Sequence, residues 1–371
     1  MASRVAVTGL GIFSPLGKKI ESFWDRLIFG EAAFRPIHCF SKANELKAGG
    51  YVFPEKTNTN PRLFEWIHVV IEQAMQDAQL TRSPAKWLGA LHPFLHHPLE
   101  RSLISWLAEL TKKYRNRQHP LLINGACAAG NLALGYAADL IRYQQCSSVI
   151  IFGGNEVNEV IYQGFSSLQI LSKQAVTPFS KSRTGMGLGE GAVAILLENA
   201  EEAKKRGAQI YGYIKGWSSA LDGQSTTGFT ESAYGPTAAL WWALQDAKLN
   251  PGEIDWICAH GTGTQLNDQV ETKAIKQIFR EAAYQVPVTS NKGQVGHLLE
   301  GAGLINAVVA LMAIKKQVIP GTYNYQEKDE QCDLNYLPNQ SNQARLRHVL
   351  SNAYGFGGIC SSVVFEKGEE N

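Results

Sequence analysis

The sequence predicts an α/β protein made of two similar halves, and two observations carry this prediction. An apolar strand, a helix and a second apolar strand follow one another over residues 120–156, as "PLLINGACAAG", "GNLALGYAADLIRYQQ" and "SSVIIFGGNE". A comparable helix, turn and strand recur over residues 235–264, as "GPTAALWWALQDAKLNPGEIDWICAHGTGT". Such successions are typical of a parallel sheet covered by helices. We therefore expect two halves, residues 1–204 and 205–371, that share one packed core.

Hydrophobic periodicity and helix breakers predict the other elements in order. "RVAVTGLGIFSPLG" reads as a buried strand entering a turn, and "IESFWDRLIFGEAAF" as an amphipathic helix with a glycine stop. Two longer helices are predicted over residues 61–80 and 97–119, with a loop rich in Pro and His between them. After a polar stretch, "EGAVAILLEN" predicts a strand, "AEEAKKRGA" a short helix and "QIYGYIKGWSSA" the strand that opens the second half.

Length and composition exclude several classes of function. The chain has 371 residues, is 44% hydrophobic and carries a formal net charge of +2. It can therefore bury a large core, and its charge does not indicate nucleic acid as the main partner. The six cysteines lack the close spacing of a metal site or a disulfide framework. Without a signal-peptide pattern or a membrane-spanning apolar window, we expect a cytoplasmic protein.

Cys127 lies between a predicted strand and a predicted helix, inside the small-residue stretch "INGACAAGNL". The N–H groups and the dipole at a helix start favour negative charge, so we expect the pKa of this thiol to be lowered. Its small neighbours would let a large electrophile reach the sulfur. These residues alone also allow a buried structural cysteine, which is what most free cysteines are.

Two other predicted strand ends carry partners for such a thiol. "DWICAHGTGTQLND" places His260 directly after an apolar strand, and "PVTSNKGQVGHLLEGAGL" places Lys292 and His297 in one loop. The sites of α/β sheets gather at the carboxyl ends of the strands. We therefore predict that these three residues and Cys127 form one catalytic site.

In chain order, the motifs resemble those of the β-ketoacyl synthases, condensing enzymes of the thiolase superfamily that serve fatty-acid and polyketide assembly. The resemblance rests on "VAVTGLGIFSPLG", "GACAAG", "PFSKSRTGMGLGEGAVAILLE", "HGTGTQLND", "SNKGQVGHLLEGAG" and "NAYGFGG", and covers most of the chain. It implies a thiolase-like five-layer αβαβα fold built from two pseudo-duplicated halves. It also implies a dimer, acyl carrier protein as the partner that delivers substrate, and no metal or redox cofactor.

The resemblance implies a role for each site residue. Cys127 would take an acyl group from a carrier-protein thioester, while His260 and His297 would bind the malonyl thioester and favour loss of carbon dioxide. The backbone N–H groups of Cys127 and Phe356 would stabilise the tetrahedral oxyanion. The ring of Phe356 matches a gate over the cysteine, although it could equally be a core plug. Two charged residues would maintain the electrostatic pattern of the site: Lys292 and Glu271.

Two other patterns are weaker. "GMGLGEG" resembles a dinucleotide fingerprint but precedes a predicted strand, whereas that fingerprint follows one, so we predict no nucleotide cofactor. His92, His96 and His97 lie in the Pro-rich loop without the helical or cysteine context of a metal site, and we interpret them as loop histidines.

The chain departs from the family in three places. The segment between Leu80 and Pro120 is shortened, and we expect the usual glycine-rich strand and pocket-lining loops to be missing from it. Ala128 follows the cysteine where Ser or Thr is common. Ile359 and Cys360 replace two polar residues after the glycine-rich loop.

The shortened segment raises a second hypothesis. The chain is either an active synthase or a subunit resembling a chain-length factor, which shapes the pocket of a partner synthase. We expect the segment to expose apolar surface in the isolated chain and favour a heterodimer with a full-length ketosynthase. The apolar residues concerned are Trp87, Leu91, Phe94, Leu95, Leu103, Ile104, Trp106 and Leu107.

Overall fold

A computed structural model describes residues 3–40, 49–55, 62–80, 82–91, 103–116 and 118–368. The strands of these ranges are β1 (Val5–Phe13), β2 (Phe34–Pro36), β3 (Gly49–Tyr51), β4 (Lys86–Ala90), β5 (Leu121–Ile123), β6 (Ser148–Asn155), β7 (Gly191–Asn199), β8 (Gly212–Leu221), β9 (Trp256–Cys258), β10 (Val288–Thr289), β11 (Val318–Ile319), β12 (Asn342–Gln343), β13 (His348–Gly355) and β14 (Ile359–Glu366). The helices are α1 (Ile20–Phe29), α2 (Leu63–Asp77), α3 (Leu103–Lys113), α4 (Ala129–Arg142), α5 (Glu159–Ser167), α6 (Ala200–Lys205), α7 (Tyr234–Ala247), α8 (Gln265–Phe279), α9 (Lys292–Val295) and α10 (Ala302–Lys316). No helix in these ranges is long and apolar enough to cross a membrane.

Ten strands form one mixed sheet whose order repeats on either side of its centre. The order is β10-β9-β13-β14-β8 in one half and β1-β7-β6-β4-β5 in the other. In each half the two strand pairings nearest the centre are antiparallel, and the two outer pairings are parallel. The halves join where residues 5–7 of β1 pair with residues 212–214 of β8. The predicted α/β class and the duplication are therefore confirmed.

Helices fill the centre and cover both outer faces. The helix that follows Cys127, α4, packs against strands of both halves and against α10. Residues 302–314 of α10 are buried on every side, as expected of a helix that is apolar all round. Helix α2 covers the outside of β1, β7 and β6, while α7 covers β8 and β14 and packs on α8. The two half-sheets are the two β layers, and the helices between and outside them complete the expected five αβαβα layers.

Strand β4 corrects one expectation about the shortened segment. Residues 86–90 pair parallel with both β5 and β6, so a strand lies inside the segment predicted to be a loop. Its Gly89 lies so close to its neighbours that a Cβ there would come within 2.7 Å of Leu122. The prediction that only a loop lies between the helices at 61–80 and 97–119 is therefore wrong. A five-residue strand buried on both faces shows no alternation that would reveal it in the sequence.

The apolar residues of this segment are mostly covered by the chain itself. Trp87, Leu91, Trp106 and Leu107 are buried in one cluster with α2 and β6, and the Trp106 ring stacks on Phe64 at 4.4 Å between centroids. The expectation that they remain exposed in a single chain is therefore wrong. Two of the apolar residues are less buried: Leu103 is partly buried, and Ile104 is 78% exposed. The remaining ones, and three loop histidines, lie outside the described residues: Phe94, Leu95, His92, His96 and His97.

Candidate active site

One cavity of about 490 Å³ brings together four residues predicted to form the site. They are Cys127, His260, His297 and Phe356. The described residues that line the rest of it are apolar or carry neutral hydroxyl and amide groups, and none is Asp, Glu, Lys or Arg. A ligand in this cavity would therefore meet neutral hydrogen-bonding groups and two imidazoles.

Cys127 lies in a tight turn between β5 and α4. A single 3₁₀ turn covers Ala126–Ala128, and Ala126 adopts a left-handed backbone with a φ of 47°. That conformation costs an alanine about 1–3 kcal/mol and persists only when its surroundings enforce it. Gly355 at the end of β13 leaves room for this turn, since a Cβ on Gly355 would lie 3.0 Å from the backbone nitrogen of Cys127. The nucleophile turn and the end of β13 are thus packed backbone against backbone.

Burial keeps the Cys127 thiol protonated, which corrects the expectation of a lowered pKa. Burial raises the pKa of Cys127 to about 12, and the nearby Glu300 carboxylate acts in the same direction. Lys292 and the backbone N–H groups of Cys127 and Phe356 lower this pKa, but by less. A helix start favours a thiolate, but the cost of placing that charge in a closed, buried site is the larger effect here.

His297 is held as one neutral tautomer. Its Nδ1 accepts a hydrogen bond from the backbone N–H of Leu299 at 3.0 Å, which leaves the ring proton on Nε2. Burial and then the Lys292 charge hold the pKa of His297 well below its usual value. The ring can therefore donate one N–H bond into the cavity without carrying a charge.

His260 lies beside His297, with the two ring centroids 5.1 Å apart and the rings nearly perpendicular. Burial, followed by the Lys292 charge, holds the pKa of His260 well below its usual value. Its Nδ1 makes no hydrogen bond with any described residue. The cavity wall therefore presents two neutral imidazoles side by side.

Glu271 and Lys292 lie behind the cavity wall. The Glu271 carboxylate accepts the backbone N–H groups of His260 and Gly261, each at 2.8 Å, and the side-chain amide of Asn352 at 3.0 Å. Lys292 is buried, its Nζ makes no hydrogen bond with the described residues, and burial lowers its pKa. Glu271 thus fixes the His260 backbone directly, whereas Lys292 acts on the site through its electric field.

Sequence reasoning missed two parts of the site. Glu300 lies within the quoted motif "SNKGQVGHLLEGAGL", yet nothing in that pattern predicts that its carboxylate acts on Cys127. Phe165 on α5 stacks against the Phe356 ring at 5.8 Å between centroids. The sequence reads there as a polar stretch, and α5 was not predicted. Within the described ranges, no group of three or more His, Cys, Asp or Glu side chains is arranged to hold a metal ion.

Comparison with family models gives matches to both parts of the chain. The model described as "Beta-ketoacyl synthase, N-terminal domain" matches residues 119–203, and "Beta-ketoacyl synthase, C-terminal domain" matches residues 211–326.

Curated relatives match over nearly the whole length. The chain is 33% identical over 411 aligned positions to a 3-oxoacyl-[acyl-carrier-protein] synthase 2 of Synechocystis sp., covering 98% of each chain. It is 38% identical over 404 positions to Nodulation protein E of Rhizobium leguminosarum bv. trifolii, covering 99% of this chain and 100% of the relative.

Solved structures match to the same extent. One contains a type II polyketide synthase acyl-carrier protein in complex with its ketosynthase bound to a hexaketide. It gives a TM-score of 0.90 at 28% identity and covers 99% of this chain and 100% of that one. The ishigamide ketosynthase/chain length factor gives a TM-score of 0.91 at 25% identity, with both chains covered completely.

Proposed function

Because this chain belongs to the β-ketoacyl synthase family of acyltransferase-type condensing enzymes, we propose that it joins a malonyl unit to an acyl chain held on Cys127. The reaction is a decarboxylative Claisen condensation, and acyl carrier protein delivers both groups. The observation that carries the proposal is the meeting of one thiol, two neutral imidazoles and the Phe356 backbone in a single cavity.

In the first step, the Cys127 sulfur attacks the thioester carbonyl of the acyl carrier. The thiol is protonated at rest because its pKa is about 12, so its proton leaves as the new carbon–sulfur bond forms. That proton ends on the thiol of the released carrier, and no base is consumed overall. The N–H groups of Cys127 and Phe356, which already point at the sulfur, are suited to bind the tetrahedral oxyanion.

In the second step, the malonyl thioester loses carbon dioxide and forms an enolate. Negative charge develops on the thioester oxygen, and the Nε2–H group of His297 is a donor fixed in advance for that oxygen. His260 would supply the second donor. The enolate carbon then attacks the acyl-cysteine carbonyl, which breaks the carbon–sulfur bond and leaves the extended chain on the carrier. Cys127 leaves as a thiolate and takes one proton from water to return to its resting thiol. Neutral imidazoles suit this role because they lose no proton to the enolate.

Phe356 is proposed as the gate of the acyl pocket. Its ring stacks on Phe165, while Gly357 and Gly358 behind it adopt left-handed backbone conformations with φ of 81° and 76°. Glycine takes these conformations at little cost, which suits a loop that moves. The alternative, a fixed core plug, predicts that a Phe356→Ala variant loses stability and gains no acyl chain length.

The partner proposals are acyl carrier protein and a second synthase-type chain. The neutral hydroxyl and amide lining suits an uncharged amide-bearing arm on the carrier. Strand β5 ends the sheet, and Leu121 on it is 49% exposed, which suits pairing with another chain.

We also propose a cytoplasmic location. We further propose that the chain divides into residues 1–204 and 205–371, and the repeated strand order supports this division.

The chain-length-factor alternative is a subunit that shapes the pocket of a partner ketosynthase without elongating chains itself. It is supported by the structural similarity to a protein described as a ketosynthase/chain length factor. The presence of Cys127, His260 and His297 together in one cavity favours the enzyme.

The test uses the full chain with acyl- and malonyl-loaded carrier protein, followed by mass spectrometry of the chain and of the product. We expect an acyl adduct on Cys127, condensation by the chain, and loss of both in Cys127→Ala. Cys258→Ala is the matched control, because Cys258 is also buried but does not line the cavity. An adduct on Cys258 or Cys360 would refute the assignment.

Native mass spectrometry after co-expression with a full-length ketosynthase separates the two alternatives. Condensation by a homodimer supports the enzyme and refutes the heterodimer. An inactive chain that forms a heterodimer and changes the length of the partner's products supports the chain-length-factor role. A soluble, active monomer at micromolar concentration would refute any obligate partnership.

A further inference from the structure

A single amide side chain lies in the middle of the apolar central helix. Asn306 is the one polar side chain among the buried residues 302–314 of α10, and it is 1% exposed. Burying an amide without hydrogen bonds is costly, so the partners of this group decide why it is tolerated.

All three hydrogen-bond partners of the Asn306 side chain belong to segments that carry site residues. Its Nδ2 donates to the backbone carbonyls of Ala259 and Asn352, each at 3.2 Å. Its Oδ1 accepts from the side-chain amide of Asn291 at 3.0 Å. Ala259 precedes His260, Asn291 precedes Lys292, and Asn352 lies on β13, the strand that leads into Phe356.

The same network reaches His260 from a second side. Asn352 donates through its side-chain amide to Glu271, whose carboxylate holds the backbone N–H of His260. The side-chain oxygen of Asn352 accepts a hydrogen bond from the Ser362 hydroxyl at 2.8 Å, so both the nitrogen and the oxygen of this amide are hydrogen-bonded. The His260 backbone is therefore held on one side by Asn306 through Ala259, and on the other by Glu271.

We propose that Asn306 is a positioning residue that aligns three separate loops of the active site with the central helix. These loops contain the His260 donor, the Lys292–His297 segment and the Phe356 oxyanion donor. This inference rests on the proposed function, because it assumes that these groups act together on one substrate. Displacing reacting groups by about 1 Å can cost about a hundredfold in rate, so one anchor shared by three loops would control both half-reactions.

The facing helix offers a matched control. Asn131 on α4 is also fully buried, and its Nδ2 donates to the carbonyls of Ser351 and Ser361, at 3.1 and 3.3 Å. Substituting alanine at either position deletes the same atoms and two hydrogen bonds to backbone carbonyls. Only the Asn306 change frees the Ala259 carbonyl that precedes His260, and only this change also removes a third hydrogen bond, the one from Asn291.

The experiment compares Asn306→Ala with Asn131→Ala in the full chain, well below the melting temperature of each variant. Acyl loading of Cys127 and malonyl decarboxylation are measured separately, each as kcat and KM. For Asn306→Ala we expect kcat to fall at least about tenfold in both half-reactions, with KM within about threefold. For Asn131→Ala we expect both kcat values within about threefold of the parent. Equal losses in the two variants, or normal kcat in Asn306→Ala, would overturn the proposal.

Hydrogen exchange gives a readout that does not depend on activity. Amide exchange in peptides covering residues 259–264, 289–297 and 352–358 should rise together in Asn306→Ala and stay unchanged in Asn131→Ala. If the parent chain catalyses neither half-reaction, the proposed function fails, and exchange alone decides this inference. Faster exchange in one of the three peptides only would overturn it.

A second variant covers the case in which Asn306→Ala does not fold. Asn291→Ala removes the single bond to Oδ1 and releases the loop before Lys292 while leaving the Ala259 and Asn352 contacts intact. We expect malonyl decarboxylation to fall at least about fivefold while acyl loading stays within about twofold. Unchanged decarboxylation, or an equal fall in both half-reactions, would refute the shared-anchor role.

Discussion

The backbone N–H of Leu299 donates to Nδ1 of His297 at 3.0 Å and thereby decides which nitrogen of the ring faces the cavity with a proton. The donor lies two residues beyond the ring in the same turn, so the tautomer is set by local backbone geometry. Burial keeps the ring neutral.

Replacing His297 should therefore separate the two half-reactions. We expect His297→Ala to lower malonyl decarboxylation at least about a hundredfold, the loss seen on removing one oxyanion donor. Acylation of Cys127 should continue, because its oxyanion donors are backbone groups. His260→Ala should behave in the same way. Release of labelled carbon dioxide and intact-mass analysis measure the two steps, and normal decarboxylation in both variants would refute the assignment.

Removing the charge of Glu300 and removing the charge of Lys292 should have opposite effects on the reactivity of the Cys127 thiol. Glu300 raises the pKa of Cys127 and Lys292 lowers it, so Glu300→Gln should increase the thiolate fraction and Lys292→Met should decrease it. At pH 8 we expect alkylation of Cys127 by iodoacetamide to be faster in the first variant and slower in the second, by about tenfold for each unit of pKa. In the parent chain the rate should keep rising through pH 10. A plateau below pH 8 would contradict the raised pKa.

The buried histidines predict how stability depends on pH. The pKa of His297 is lowered on folding, so below about pH 6.5 the unfolded chain binds a proton that the folded chain does not. The free energy of unfolding should then fall by about 1.4 kcal/mol for each pH unit below about 6.5. The variant His297→Gln should lack this contribution. Urea unfolding at pH 7.5 and 5.5 measures the difference, and parallel losses in both proteins would argue against a buried neutral ring.

The contact between Gly355 and the nucleophile turn predicts a sensitive substitution. A Cβ in Gly355→Ala would lie 3.0 Å from the Cys127 nitrogen and from the Gly125 carbonyl oxygen, so one backbone must shift. We expect acylation of Cys127 to fall at least about tenfold, because the shift separates the Phe356 N–H from the oxyanion. Gly164→Ala on α5 is the control, since a Cβ there meets nothing within 4 Å. Acylation at the parent rate in both variants would show that the turn tolerates the methyl group.

The sequence predicts those parts of the site that follow directly from strand ends. Cys127 and His260 each follow an apolar run, and the turn after such a run faces the carboxyl edge of the sheet. Phe356 is expected from the family resemblance alone. The short strand β4 escaped prediction because five residues buried on both faces show no periodicity. The pKa of Cys127 also escaped prediction, since it depends on burial by distant segments and on Glu300, which is far from Cys127 in the chain.

The role of Asn306 could not be predicted from the sequence, for a different reason. In the sequence it is one polar residue in "AGLINAVVALMAIKK", and helical periodicity predicts only that the surrounding helix is buried. Its three partners come from residues 259, 291 and 352, which no local pattern connects. Long-range hydrogen bonds of this kind become visible only once the chain is folded.

The narrow seam between the two half-sheets has a consequence for assembly of the molecule. Within the described part of the chain, ladder pairing joins the half-sheets only at residues 5–7 and 212–214, while α4 contributes its apolar surface to both. A cut in the exposed turn at Gly207, where a Cβ meets nothing, would leave each fragment with an uncovered inner face. The fragments should therefore be insoluble when made separately and should complement each other when made together. Since one fragment holds the thiol and the other holds both imidazoles, recovered condensation would report their reassociation, as in a split enzyme.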